Sequence, residues 1–285
     1  MKRFLAFFLA FLSAVLGLPI FPALGYEVMR DVRYGEAPAA VMDVYFPREG
    51  VRRADGCVVM LHGGSYAGGD KREQELDCHF LAACGYVAVS INYTLYTEDG
   101  DYTVDTVLDE IGMAIAAVRD IATERGAPLR AVATAGYSAG GHLALLYAYT
   151  RREASPLPIR FAASLAGVAS LDPAIWGDQA FRIGEILSGE TLSRGDAASD
   201  AVLRSLSPAH LAAEGGVPTL IAVGERDTTV PPECGRALAA ALSAAGIPNT
   251  LLSLSRSGHD MVFGNPIRRI GYNFELAAFC ERYFE

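Results

Sequence analysis

The stretch A-V-A-T-A-G-Y-S-A-G-G-H-L-A-L, residues 131–145, is the clearest structural signal in this chain. Its first half is an apolar run of small and β-branched residues, which predicts a buried strand. After Gly136 a single serine, Ser138, precedes Gly140 and an apolar helical pattern. The pattern G-x-S-x-G predicts a sharp turn from strand to helix, with the serine hydroxyl exposed above the end of a sheet. By itself the pentapeptide also fits an ordinary glycine-rich turn that carries a serine.

Apolar runs alternate with amphipathic helical patterns on both sides of this stretch. The runs predict further strands at residues 27–34, 41–46, 57–61, 86–93, 161–168, 218–224 and 250–254. The helical patterns predict helices at residues 71–84, 104–123, 233–245 and 273–284. This alternation, after an antiparallel opening, predicts one α/β domain over residues 26–285, with a mostly parallel sheet and helices on both faces. Residues 169–215 interrupt this alternation of strands and helices and predict a cap-like insertion over the carboxyl ends of the strands. The alternative is a surface segment that packs only on itself.

Composition narrows the class of protein. Hydrophobic residues make up 51% of the 285 residues and charged residues 20%, so a sizeable core is expected. The net charge of -9 argues against nucleic acid as a partner. An odd number of cysteines, five, without a C-x-x-C pair excludes a closed disulfide framework and a recognisable zinc site. We expect buried free thiols, with a bridge between Cys78 and Cys84 as the alternative.

The first 25 residues are typical of a secretory signal peptide. A basic pair precedes an apolar run over residues 4–18, and Ala23 and Gly25 place small residues at both positions that a signal peptidase inspects. The run is shorter than the roughly 20 residues that a membrane-spanning helix needs. We therefore expect cleavage near Gly25, a secreted or periplasmic protein and no stable membrane insertion afterwards. A membrane anchor or a buried helix is the alternative.

A serine hydroxyl becomes a nucleophile only beside a base that a third group orients. Among five histidines, His259 lies just past the last predicted strand, where a loop can bring it onto Ser138. His142 lies one helical turn beyond Ser138 and is predicted to pack or cap, and His62 is predicted to brace the glycines that follow it. Asp227 directly follows a predicted strand, and the order Ser, Asp, His is that of an α/β-hydrolase. The competing carboxylates are Glu225, too close to its strand, and Asp260, adjacent to the histidine.

An oxyanion would need backbone N–H donors near the serine. Gly63 and Gly64 directly follow the predicted strand at residues 57–61 and offer amides with little steric obstruction. The amide of Ala139, after the serine, would complete the oxyanion hole. Each of these signals stands at the end of its own predicted strand, so together they predict nucleophilic hydrolysis.

The chain resembles the carboxylesterase branch of the α/β-hydrolases, nearest to feruloyl and acetyl esterase-like proteins, with hormone-sensitive-lipase-like esterases further off. The motifs are M-D-V-Y-F-P at 42–47, H-G-G-S-Y-A-G-G-D-K at 62–71, G-Y-S-A-G-G-H-L-A at 136–144, G-E-R-D-T-T-V-P at 224–231 and S-G-H-D at 257–260. The resemblance spans about residues 41–265 and is weakest over the insertion. It implies an eight-stranded sheet, no cofactor and ester hydrolysis through an acyl-enzyme. Such relatives usually carry a third glycine where this chain has Ser65 and often a tryptophan in place of Tyr66.

The sequence thus predicts an exported serine esterase in which Ser138 attacks the ester, His259 transfers the proton and Asp227 orients the imidazole. Expected substrates are short-acyl esters of small molecules or carbohydrates, including acetyl and feruloyl esters. Predicted pocket residues, for which core packing is the alternative, are Tyr66, Tyr137, Trp176, Phe181, Val230 and Met261. The remaining alternatives are a serine peptidase, an arylformamidase-like amide hydrolase and a non-enzymatic binding module, which would be expected to have lost a triad member.

Overall fold

The computed structural model describes residues 25–259 and 266–284, apart from Glu49, Arg53 and Asp101. Met261, predicted to line the pocket, and the competing carboxylate Asp260 lie outside the described residues, as does all of the predicted signal peptide before Gly25. Among the described residues, none of the helices combines the length and the apolar character needed to cross a membrane.

The described residues form an eight-stranded sheet. The strands are β1 Tyr26–Arg33, β2 Val41–Pro47, β3 Gly56–Leu61, β4 Val87–Ile91, β5 Ala131–Tyr137, β6 Ile159–Leu165, β7 Thr219–Gly224 and β8 Asn249–Leu254. Their order is β1-β2-β4-β3-β5-β6-β7-β8. β2 pairs antiparallel with β1 and β4, and the pairs from β4 across to β8 are parallel. The mostly parallel sheet with an antiparallel opening is confirmed.

Helices cover both faces of this sheet. A 3-10 turn, Lys71–Gln74, precedes α1 Glu75–Ala83, α2 Val104–Glu124, α3 Ala139–Thr150, α4 Pro173–Trp176, α5 Gln179–Ser188, α6 Ala197–Ser205, α7 Pro208–Gly215, α8 Pro232–Ala244 and α9 Pro266–Phe284. The last helix begins seven residues earlier than predicted, at a proline, which suits a first helical turn because it needs no N–H donor there. The insertion forms α4 to α7, none of which the sequence predicted. Aspartates start two of these helices, because Asp172 and Asp196 accept amide hydrogens of the first turn.

The central strands are mostly apolar because both of their faces are buried. In β3, Cys57, Val59 and Leu61 join the core against α2 and α3, whereas Val58 and Met60 join the core against α1 and α9. This arrangement accounts for the continuous apolar runs in the sequence.

All five cysteines are buried and none of them forms a disulfide, as the sequence predicted. Burial raises the pKa of Cys57 and Cys234 to about 12, so these thiols are protonated at neutral pH. The alternative bridge between Cys78 and Cys84 was wrong.

The turn between β5 and α3 is packed against the end of β3 through bare backbone. A Cβ atom added to Gly140 would lie 2.3 Å from the carbonyl oxygens of Leu61 and His62, and one on Gly136 would lie 2.3 Å from the carbonyl oxygen of Gly140. Real Cβ atoms do not approach backbone oxygens this closely, so only glycine fits at either position.

We predict that Gly140→Ala destabilises the protein by about 2 kcal/mol or more, because backbone cannot move aside as a flexible side chain can. The measurement is urea unfolding followed by circular dichroism. Gly271→Ala is the matched control: Gly271 is exposed in α9 with no atom within 4 Å of an added Cβ, and alanine favours a helix there by up to about 1 kcal/mol. Equal stabilities of the two variants would contradict the packing argument.

Candidate active site

Ser138 lies at the carboxyl end of β5 in a backbone conformation that few residues other than glycine adopt. Its φ is 53° and its ψ is -122°. Its amide donates to the Leu165 carbonyl at 2.9 Å, and its own carbonyl accepts from the His142 amide at 3.1 Å. Such strain persists only where neighbouring structure enforces it, and it often marks a functional position.

The structure brings the three predicted triad residues together. His259 Nε2 lies 2.9 Å from Ser138 Oγ, and His259 Nδ1 lies 2.8 Å from Asp227 Oδ2. Because a carboxylate oxygen only accepts, Nδ1 carries the hydrogen and Nε2 is free to accept from the serine hydroxyl. This is the tautomer that lets histidine act as a base toward Ser138.

Asp227 is fixed by its own turn. Its Oδ1 accepts the amide hydrogens of Thr229 at 2.8 Å and Val230 at 2.9 Å, so both carboxylate oxygens are occupied and the side chain is only 1% exposed. The competing Glu225 instead contacts Arg236 and Ser253. Of the described carboxylates, Asp227 is therefore the one that bonds the His259 imidazole.

Three backbone amides of interest lie beside the serine or in the adjoining loop. A Cβ atom on Gly63 would lie 3.2 Å from Ser138 Cβ, so the Gly63 backbone directly adjoins the serine, and Ala139 is the first residue of α3. Among the described residues, the amides of Gly63, Gly64 and Ala139 donate to no acceptor. Free N–H groups around a nucleophile are the donors that an oxyanion requires.

The loop after β3, residues 62–71, closes on itself. Gly64 has a φ of 112°, and its carbonyl accepts the amides of Ala67 and Gly68 at 3.0 Å. Ser65 and Tyr66 also have positive φ, 53° and 66°. Ser65 therefore adopts the left-handed conformation that a third glycine would adopt without strain.

His62 braces the start of this loop, as the sequence predicted. Its ring stacks on Tyr93 at 4.3 Å, and the Tyr93 hydroxyl donates to the His62 carbonyl at 2.8 Å. A Cβ on Gly69 would lie 2.2 Å from His62 Nδ1, so the ring fills the space inside the loop. The His62 ring thus supports the loop from its interior, in addition to the direct connection of the loop to β3.

A buried ion pair anchors the end of the loop. Lys71 Nζ lies 2.8 Å from Asp43 Oδ1 and 2.9 Å from Asp31 Oδ1, and Arg30 reaches Asp43 Oδ2 at 2.9 Å. Burial alone would raise the pKa of Asp43, but hydrogen bonds from Lys71, the Asp31 amide and Arg30 together lower it. Sequence reasoning singled out the motifs that contain Asp43 and Lys71 but did not predict that they pair.

The two tyrosines predicted to line a pocket have other contacts. The Tyr137 hydroxyl donates to the His259 carbonyl at 2.8 Å, and the two rings lie 5.2 Å apart. Tyr66 is only 3% exposed, and its hydroxyl is bonded to His142 Nδ1. Tyr137 therefore holds the histidine loop, a role that its position beside Ser138 did not reveal.

The other predicted pocket residues are packed rather than open. Trp176 is half-buried and its indole N–H donates to the Ser170 carbonyl at 2.7 Å. Phe181 and Val230 belong to the buried core. The insertion contacts more than itself, because the carbonyl of Leu206, at the end of α6, accepts from His142 in α3.

Residues 42–242 match the family model BD-FAE. The chain belongs to the BD-FAE family. It is also 26% identical over 244 residues to esterase LipC of Mycobacterium tuberculosis, an alignment that covers 82% of this chain and 60% of LipC. The chain therefore spans about 60% of the length of that curated relative.

Two solved structures share the architecture of this BD-FAE protein. Esterase B from Lactobacillus rhamnosis, inhibited by a C4-C4 tributyrin phosphonate, has a TM-score of 0.71 at 23% identity and covers 95% of this chain and 93% of its own. A truncated carbohydrate esterase from gut microbiota has a TM-score of 0.71 at 16% identity and covers 90% of this chain and 96% of its own. These likenesses confirm the α/β-hydrolase fold.

Buried histidines give the stability of the protein a predictable pH dependence. Burial lowers the pKa of His79 and of His142 from 6.5 to about 4. Such a histidine has a lower pKa in the folded state than in the unfolded state. At a pH between these two pKa values it takes up a proton when the protein unfolds. Stability should therefore fall as the pH drops from 6.5 toward 4, and these two histidines together should contribute an uptake of about two protons on unfolding.

The measurement is the free energy of unfolding in urea between pH 4.5 and 7. His79→Asn keeps an acceptor for the Tyr26 hydroxyl and should reduce the uptake by about one proton. His210→Asn, at an exposed position, is the control and should leave the slope unchanged. An unaltered slope in His79→Asn would refute the assignment.

We predict that Tyr137→Phe slows the reaction of Ser138 with an organophosphonate by about 3- to 10-fold, the value of one hydrogen bond. The His259 loop would lose its bond to Tyr137, so the imidazole would be aligned less often. Tyr26→Phe is the control, because it removes another buried tyrosine hydroxyl, one that lies on β1 and bonds His79. Equal phosphonylation rates in the two variants would show that the tether has no effect on the site.

Proposed function

We propose that this chain is a serine carboxylesterase that hydrolyses short-acyl carboxylic esters through an acyl-enzyme. The observation that carries the proposal is the continuous hydrogen-bonded line from Ser138 Oγ through His259 to Asp227, next to backbone amides that have no acceptor among the described residues. The name of the relative LipC and the esterase structures of the same fold support ester hydrolysis.

In the first half-reaction Ser138 Oγ bonds to the ester carbonyl carbon while its proton moves to His259 Nε2. Asp227, held by two amides, stabilises the charged imidazole without taking its proton. The amides of Gly63, Gly64 and Ala139 receive the negative oxygen. The carbon–oxygen bond to the alcohol then breaks, and His259 gives its proton to the departing alcohol.

The second half-reaction repeats these roles with water. His259 takes a proton from water as the water oxygen attacks the carbonyl carbon of the acyl group bonded to Ser138 Oγ. The amides again hold the oxyanion, and the proton returns to Ser138 Oγ as the carboxylic acid leaves. Loss of a single oxyanion donor typically costs roughly a hundred- to a thousand-fold in turnover, so the loop geometry matters as much as the triad.

We further propose acetyl or feruloyl esters of carbohydrates as the substrate class and residues 169–215 as a cap over the site. The carbohydrate esterase of the same fold supports the substrate class, and the tributyrin phosphonate bound by esterase B supports a short acyl chain. The signal-like first 25 residues support export, which would place the enzyme with extracellular or periplasmic polysaccharide.

The test is hydrolysis of p-nitrophenyl esters from acetate to palmitate. We expect the highest kcat/KM on the shortest chains and a loss of about a thousand-fold or more in Ser138→Ala, since the nucleophile is then absent. Ser243→Ala, an exposed serine of α8, is the control and should match the parent.

Activity that survives Ser138→Ala would reject the mechanism. Activity on N-formyl anilides or peptides in place of aryl acetates would reject the esterase assignment in favour of an amide hydrolase. With ester hydrolysis established, release of acetate or ferulate from acetylated and feruloylated oligosaccharides tests the substrate class, and failure on both would reject it.

A further inference from the structure

A buried line of hydrogen bonds connects the loop at residues 62–71 to the insertion through the helix of Ser138. The Tyr66 hydroxyl lies 2.8 Å from His142 Nδ1, and His142 Nε2 lies 2.7 Å from the Leu206 carbonyl oxygen. Tyr66 is 3% exposed and His142 is fully buried. Neither contact belongs to the triad, and both polar side chains would be costly to bury without them.

The direction of these bonds is fixed by chemistry. A carbonyl oxygen only accepts, so His142 Nε2 carries the ring hydrogen and donates it to Leu206. Nδ1 is then an acceptor, and the Tyr66 hydroxyl donates to it. Burial lowers the pKa of His142 to about 4 and raises that of Tyr66, so this neutral arrangement persists across the physiological pH range.

Tyr66 is held at its backbone as well as at its hydroxyl. Its carbonyl accepts the Tyr96 amide at 2.8 Å. Tyr66 and Ser65 both have positive φ, a strained conformation that persists only where the surroundings enforce it. Gly64, immediately before them, has no Cβ to restrict its rotation. The side-chain bond of Tyr66 therefore opposes a rearrangement that would turn the preceding amides away from Ser138.

We propose that Tyr66 and His142 are positioning residues that keep the amides of Gly63 and Gly64 aimed at the oxyanion, with the insertion contributing through the Leu206 carbonyl. This inference rests on the proposed function, because an oxyanion hole has a purpose only if Ser138 is acylated. The insertion would then help to order the site through the bond from His142 to the Leu206 carbonyl, independently of any role as a cap.

The principal test is Tyr66→Phe, which removes one oxygen and keeps the ring. We expect kcat on p-nitrophenyl acetate to fall about 10- to 100-fold with KM within about twofold, because the oxyanion exists only after attack. Binding of a trifluoromethyl ketone, whose adduct with Ser138 places an oxyanion in the hole, should weaken by a similar factor. A purely structural role would lower thermal stability without this matched loss.

Tyr149→Phe is the matched control. Tyr149 lies at the far end of α3, is also buried, and its hydroxyl is bonded to Thr219 Oγ1 at 2.7 Å. The variant loses the same phenolic oxygen, but the bond that it breaks leads to β7 and not to His142. We expect its kcat and ketone affinity to match those of the parent.

A second pair of variants tests His142. Asparagine and leucine are nearly equal in size, but only asparagine offers Tyr66 an acceptor close to the position of Nδ1. His142→Asn should keep more activity than His142→Leu, because it still offers Tyr66 an acceptor although it loses the bond to Leu206. His142→Leu should lose at least as much as Tyr66→Phe, because it removes both bonds. The double variant Tyr66→Phe/His142→Leu should lose no more than His142→Leu alone, because the two changes share the bond between Tyr66 and His142. If His142→Leu does not fold, Tyr66→Phe and Tyr149→Phe still decide the question.

The possible results separate this inference from the proposed function. A parent protein without esterase activity would reject the function itself. An active parent in which Tyr66→Phe and Tyr149→Phe share the same kcat and ketone affinity would overturn the positioning role and leave the function standing.

Discussion

The contact between the start of α3 and the end of β3 governs the geometry of the site. The carbonyl oxygens of Leu61 and His62 lie where a side chain at Gly140 would begin, so the two backbones touch. This contact forces Ser138 into its left-handed turn and brings Gly63 against it. Ser138 and the backbone of Gly63 are therefore one rigid unit, built from the ends of adjacent strands.

The parallel arrangement of β3 to β8 supplies the rest of the site. Because parallel strands end at one edge of the sheet, the loops after β7 and β8 can bring Asp227 and His259 to the serine on β5. Each group is then fixed locally. The turn amides of Thr229 and Val230 occupy the aspartate oxygen that the histidine leaves free.

Buried polar contacts add to ring packing in ordering the loop at residues 62–71. The ion pair between Lys71 and Asp43 anchors its end on β2, and Tyr66 anchors its middle on His142. Buried polar groups are costly unless every partner is in place, so such contacts specify one conformation of the loop. A loop held in this way can keep the amides of Gly63 and Gly64 in one fixed position.

Sequence patterns were sufficient for the strands and the turn at Ser138, because these depend on local periodicity. They also predicted that Ser138, Asp227 and His259 lie close together, because each of them follows the end of a strand. They did not reveal the helices of the insertion, which are short and lack long periodic patterns. Nor did they reveal the bond from Tyr137 to the His259 carbonyl, 122 residues away, or the pairing of Lys71 with Asp43. Hydrogen bonds and ion pairs between distant segments leave no periodic trace in the chain, so only the folded arrangement of the sheet and its loops decides them.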